Sequence, residues 1–190
     1  DHIMRFDSHR RGAWQKNPGQ PSSWVPVAII FPLVFPSLGA GQTVELAAAL
    51  TRPAVTTGLE HIDANRAQTA QFLRTIGGIL SPSGQERERA NAVAQRMREI
   101  GLSDVRVTPS PNAIGTIPGR TDRVLVFVST LDDLATVAEN QRAAGTPPRI
   151  EESRVIGPGT NTSLTSAALL AGAEAYLESG LTPELTLVFA

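Results

Sequence analysis

The sequence predicts an α/β fold, a mostly parallel mixed sheet with helices on both faces. Two runs of apolar residues and the segments around them point to it. Val124 to Ser129 is nearly continuous in apolar, β-branched side chains and too short for an ordinary helix, the pattern of a strand buried on both faces. Leu185 to Ala190 repeats that pattern. Between and before them lie helix-period stretches punctuated by Gly and Pro, giving the order α-α-β-β-β-α-hairpin-α-β. Ligands of open α/β sheets bind just beyond the carboxyl ends of the strands. The polar cluster Ser129, Thr130, Asp132 and Asp133 therefore marks where a site would begin.

Composition bounds the chemistry. With 190 residues, 41% of them hydrophobic, the chain can build one domain around a real core. A formal net charge of −1 gives no electrostatic reason to expect nucleic acid or an acidic membrane as partner. The absence of cysteine excludes disulfides, thiolate chemistry and cysteine-ligated zinc. His2, His9 and His61 are the only histidines, so nothing after position 61 can supply an imidazole ligand.

Residues 1–40 read as a leader. A basic, polar start (Arg5, Arg10, Arg11, Lys16) precedes the apolar run Trp24 to Phe35 and the small residues Leu38-Gly39-Ala40, a secretory pattern with cleavage near Ala40. That run is too short to span a bilayer, which takes about 20 residues, and contains Pro26 and Pro32. The expected location is exported, periplasmic or secreted, with an ordered apolar arm as the alternative. Arg10-Arg11 is a weak hint of twin-arginine export.

Residues 41–62 read as a linker with a short helical piece at Val44 to Leu50, stopped by Pro53. A longer helix is expected after Asp63 as N-cap, with Phe72, Ile76 and Ile79 on one face and Leu73 and Leu80 beside them. Ser81-Pro82-Ser83-Gly84 breaks it. Ser83 and Glu86 have capping-box spacing for the next helix, whose buried stripe is Ala90, Val93, Ala94, Met97 and Ile100, with Arg87, Arg89, Arg96 and Arg98 mostly on the wet side and Gly101 at its end. Strands follow at Asp104 to Thr108 and Asn112 to Ile117. A helix is expected over Leu134 to Ala144, a small hairpin over Arg149 to Ile156, and an Ala- and Leu-rich helix over Thr162 to Ser179.

Four phrases, taken together and in order, resemble one family. They are Ser81-Pro82-Ser83-Gly84-Gln85-Glu86, Met97-Arg98-Glu99-Ile100-Gly101-Leu102, Val128-Ser129-Thr130-Leu131-Asp132-Asp133, and Gly157-Pro158-Gly159 before an Ala-rich helix. The chain from about residue 65 to 190 resembles the N-terminal part of the catalytic domain of the zinc-dependent aminoacylase, glutamate carboxypeptidase and desuccinylase family, the twentieth metallopeptidase family. The resemblance implies residues 63–190 as a partial, truncated catalytic domain of a zinc-peptidase-like fold. It implies a hydrolase acting on amide bonds of small peptides or N-acyl amino acids, zinc as cofactor, and a homodimer.

The same resemblance locates the departures. The family's strand-end motif is His-x-Asp, the His a metal ligand and the Asp its orienting partner. Here those positions are Thr130 and Asp132. The bridging Asp after the Gly-x-Gly loop corresponds to Thr162, and the family's pair of glutamates would follow Ala190. A threonine hydroxyl is a poor zinc ligand and cannot bridge two cations. Either no metal binds, or Asp132 and Asp133 help hold a harder ion such as Mg²⁺ or Mn²⁺. Asp132 is the catalytic candidate. Asp132 and Asp133 equally suit the N-terminus of the following helix, and Thr160 to Ser166 suits either a pocket lining or simple capping. A serine or threonine nucleophile is disfavoured, since no His in the domain could activate one. The alternative function is a non-catalytic relative that binds a peptide or amino-acid-like ligand.

Overall fold

The computed structural model describes residues 39–190. The expected leader and its apolar run lie almost wholly outside the described residues. The element order is α1 (Gly39–Leu50), α2 (Pro53–Ala64), α3 (Arg66–Gly78), α4 (Arg87–Glu99), β1 (Ser103–Val107), β2 (Ala113–Ile117), β3 (Val124–Phe127), α5 (Ala135–Ala144), β4 (Arg149–Glu151), β5 (Arg154–Ile156), α6 (Thr160–Glu178) and β6 (Thr186–Phe189).

The main sheet has the order β1-β2-β6-β3, and β4 and β5 form a separate hairpin. The α/β class with a mixed sheet flanked by helices is what the structure has. Parallel pairing is confined to β3 with β6, while β1–β2 and β2–β6 run antiparallel. The reason is connection length. Only a short turn at residues 108–112 joins β1 to β2, whereas parallel neighbours need a crossover of a dozen residues or more. The chain between β3 and β6 supplies one, with α5, the hairpin and α6.

The expected stripe of α4 is buried: Ala90, Val93, Ala94, Met97 and Ile100 join Leu73, Ile76, Ala113, Ile117, Leu170 and Phe189 in one core. Phe189 of β6 stacks on Phe127 of β3 with ring centroids 5.3 Å apart. No helix of the described residues is long and apolar enough to cross a membrane.

Several expectations need correction. Residues 54–62 are not a linker but most of α2, which packs on α6. Its inward side carries Ala54, Gly58 and His61, while Leu59 and Ile62 face out, so no apolar period marked it. A Cβ on Gly58 would stand 3.2 Å from the Ala175 carbonyl oxygen, so the two helices meet backbone to backbone. Asp63 accordingly lies inside α2, where it pairs with Arg66, and does not cap α3.

Arg89 is not on the wet side of α4 but 1% exposed. A further correction concerns β3. It is not buried on both faces but is the open edge of the sheet, with Val124, Leu125, Val126, Phe127 and Val128 all 37–77% exposed.

Candidate functional site

The strand-end cluster is built by three segments that converge beyond β3. Ser129 continues the ladder, its N–H donating to the Ala190 carbonyl at 2.9 Å. From α6, Ser166 Oγ lies 2.9 Å from Ser129 Oγ and donates to the Thr130 carbonyl at 3.1 Å. From the turn before α4, Ser81 Oγ donates to the Leu131 carbonyl at 2.8 Å, and the Asp133 N–H donates to the Ser81 carbonyl at 2.7 Å. Neither Ser83 nor Glu86 forms a capping box. Ser83 Oγ instead donates to Asp132 Oδ2 at 2.7 Å, while Glu86 Oε1 accepts from the Gly84 N–H.

At the centre is a buried ion pair. Arg89 Nη2 donates to Asp133 Oδ2 at 2.6 Å and Nη1 donates to Oδ1 at 3.0 Å, a two-pronged contact with both side chains at most 1% exposed. The same guanidinium donates to the carbonyls of Leu131, at 2.9 Å, and Ile79. Thr162 Oγ1 completes the cluster by donating to Asp133 Oδ1, and it also lies 3.1 Å from the Gly159 carbonyl oxygen. Burial in low dielectric makes such a charge tolerable only when paired and fully hydrogen-bonded. Here the pairing joins α4, α6, the strand-end loop and the turn after α3.

Beside it is a cavity of about 320 Å³ lined by Glu86, Ser110, Pro111, Asn112, Ser129, Thr130, Leu131, Asp132 and Ala190. Thr130 and Asp132 therefore share a cavity. Thr162 does not line it, being turned to Asp133. A larger groove of about 830 Å³, against α3, α6 and the β4–β5 hairpin, is mostly apolar and has no carboxylate or imidazole in its lining. His61 lies elsewhere, its Nε2 buried 3.9 Å from Glu174, which Arg96 also engages at 2.6 Å.

These residues do not fit zinc. Both oxygens of Asp133 are held by Arg89, so Asp133 is not free to be a metal ligand, and the Thr162 hydroxyl is spent on the same carboxylate. The guanidinium puts a full positive charge where a dication would have to be neutralised. Among the described residues no group of three or more His, Cys, Asp and Glu could hold a metal ion. Arg89 is the member of the site that sequence reasoning missed. The signal was there: Arg89 lies one turn before Val93, on the stripe itself.

No family model and no curated protein matches the sequence. Among solved structures, the chain is similar to the dipeptidase Dug1p from Saccharomyces cerevisiae, with a TM-score of 0.55 and 16% sequence identity. The described chain shares its fold with that peptidase. The match covers 70% of this chain and 33% of the dipeptidase, so this chain spans about a third of that protein's length. At that identity the likeness concerns the fold.

Proposed function

We propose that this chain is a relative of the aminoacylase and glutamate carboxypeptidase type of metallopeptidase that binds a peptide or amino-acid-like ligand without metal and without hydrolysis. The observation that carries this reading is the Arg89–Asp133–Thr162 cluster. It sits at the strand end, where the resemblance puts the cation-holding residues, and its two charges neutralise each other, both carboxylate oxygens of Asp133 being taken by Arg89 while Arg89 Nε alone lacks a partner. The ligand's place is the adjoining cavity. Its carboxylates, Glu86 and Asp132, and its hydroxyl and amide groups, Ser129, Thr130 and Asn112, complement the amine and amide groups of a short peptide, with Pro111 and Leu131 as apolar contacts. The fold shared with a dipeptidase supports a peptide as the ligand class.

The test uses the full chain purified with zinc present and then desalted. Zinc is expected to be far below one per chain, and incubation with Ala-Ala or N-acetyl-alanine is expected to release no product. Titration calorimetry with Ala-Ala is expected to give binding that Asp132→Asn weakens several-fold. The asparagine keeps an oxygen that can accept from Ser83, so the substitution should move folding stability by about 1 kcal/mol at most. Stoichiometric zinc together with hydrolysis would overturn the proposal in favour of an amide-cleaving metallohydrolase.

A further inference from the structure

The strand-end cavity carries an unbalanced charge. Glu86, the residue that starts α4, and Asp132 both line it. One oxygen of each is taken locally, Glu86 Oε1 by the Gly84 N–H and Asp132 Oδ2 by Ser83 Oγ at 2.7 Å. The second oxygen of each, Glu86 Oε2 and Asp132 Oδ1, accepts no hydrogen bond among the described residues, and neither carboxylate forms an ion pair there. The arginines next to them in the chain are committed elsewhere. Arg87 donates from Nη1 to the Thr108 carbonyl at 2.9 Å and from Nη2 to the Pro109 carbonyl. That contact ties α4 to the turn that brings Ser110, Pro111 and Asn112 into the cavity wall. Arg89 is locked to Asp133. Both guanidinium groups are thus spent on backbone carbonyls and a buried acid rather than on Glu86 or Asp132.

Resting on the reading of this cavity as a peptide site, we infer that its ligand must carry an unblocked, protonated primary amine, seated against Glu86 and Asp132. An ammonium group has three donors and no acceptor. It matches two carboxylates with one open oxygen each, with the Ser129 or Thr130 hydroxyl for the third donor. Acylating the amine leaves a neutral amide with a single N–H. Hydrogen bonds between charged groups are roughly twice as strong as neutral ones, so the amine decides what binds more than the ligand's apolar side chains do. The two ligand classes that the family resemblance leaves together are thereby separated. Peptides with a free amine fit the cavity, and N-acyl amino acids do not.

Titration calorimetry on the full chain tests this with Ala-Ala amide and N-acetyl-Ala-Ala amide, which differ at the amine and both lack a free carboxylate. The free amine is expected to bind about tenfold or more tightly than the acetylated one. Glu86→Gln keeps an oxygen for the Gly84 N–H and removes the charge, so it is expected to narrow that gap. Exclusion of the acetyl group by bulk alone would leave the gap unchanged. Nα-acetyl-lysine amide, with its ammonium on the side chain, identifies the source of the amine: comparable binding puts a lysine side chain in the seat, and weak binding puts the N-terminus there. Equal binding of the two Ala-Ala amides would overturn the amine requirement and leave the peptide-site reading standing. A gap that survives Glu86→Gln at full size would overturn the role given to the carboxylates. Failure of every probe to bind would overturn the peptide-site reading, and this inference with it.

Discussion

Replacing Arg89 with leucine is expected to lower the folding free energy by about 3–5 kcal/mol, among the largest effects of any single substitution in this chain. The loss comes chiefly from what is left behind. Asp133 would remain at 1% exposure with its negative charge and only the Thr162 hydroxyl as a side-chain donor. The Ile79 carbonyl would also lose the guanidinium, whereas the Leu131 carbonyl keeps Ser81. Asp133→Leu alone should be comparably damaging, since it strands a buried guanidinium. The double variant Arg89→Leu/Asp133→Leu removes both charges, and its cost should fall well short of the two single costs added together. Urea unfolding of the four proteins measures this as a coupling energy. Additive single losses would mean that the two side chains do not act as a pair, and the reading of the strand-end cluster as a charge-neutral unit would fail.

The same cluster shows what could be read in the sequence and what could not. The stripe of α4, the Gly that ends it, the hairpin and both strands flanking the α5–α6 crossover follow from periodicity and turn chemistry, which are local. So does the strand-end polar cluster, because strand boundaries fix where the loop residues fall. Partner choice is not local. Nothing in the order of residues distinguishes Asp132, hydrogen-bonded to Ser83 beside a cavity, from Asp133, locked to a guanidinium 44 positions away. Side-chain type puts Arg89 in solvent, although its place on the stripe argues otherwise. Two further elements were hidden for physical reasons. The contact face of α2 is made of small and polar residues, because α2 approaches α6 by backbone. Likewise, the apolar run of β3 carries no sign of whether neighbours lie on one side or two.

A second large loss is expected for Gly159→Ala, about 2–5 kcal/mol, from two separable causes. Gly159 has φ +86°, where a Cβ costs roughly 1–2 kcal/mol. A Cβ there would also stand 2.4 Å from the Gly77 carbonyl oxygen and 2.3 Å from Gln141 Nε2. Those two atoms are themselves hydrogen-bonded at 2.6 Å, so neither can move away without breaking a contact between α3 and α5. Forced overpacking of this kind costs about a further 1–3 kcal/mol. Gly145 separates the two terms, since its φ is +61° but nothing lies within 4 Å of its would-be Cβ. Gly145→Ala should therefore show the conformational cost alone, and urea midpoints of the two variants give the packing term by difference. The effect should reach the site as well, because the Gly159 carbonyl accepts from the Ser163 N–H at 3.2 Å and starts α6, which carries Thr162 to Asp133. Equal destabilisation by the two substitutions would show that the loop does not press on Gly77, and that α6 is positioned by its apolar face alone.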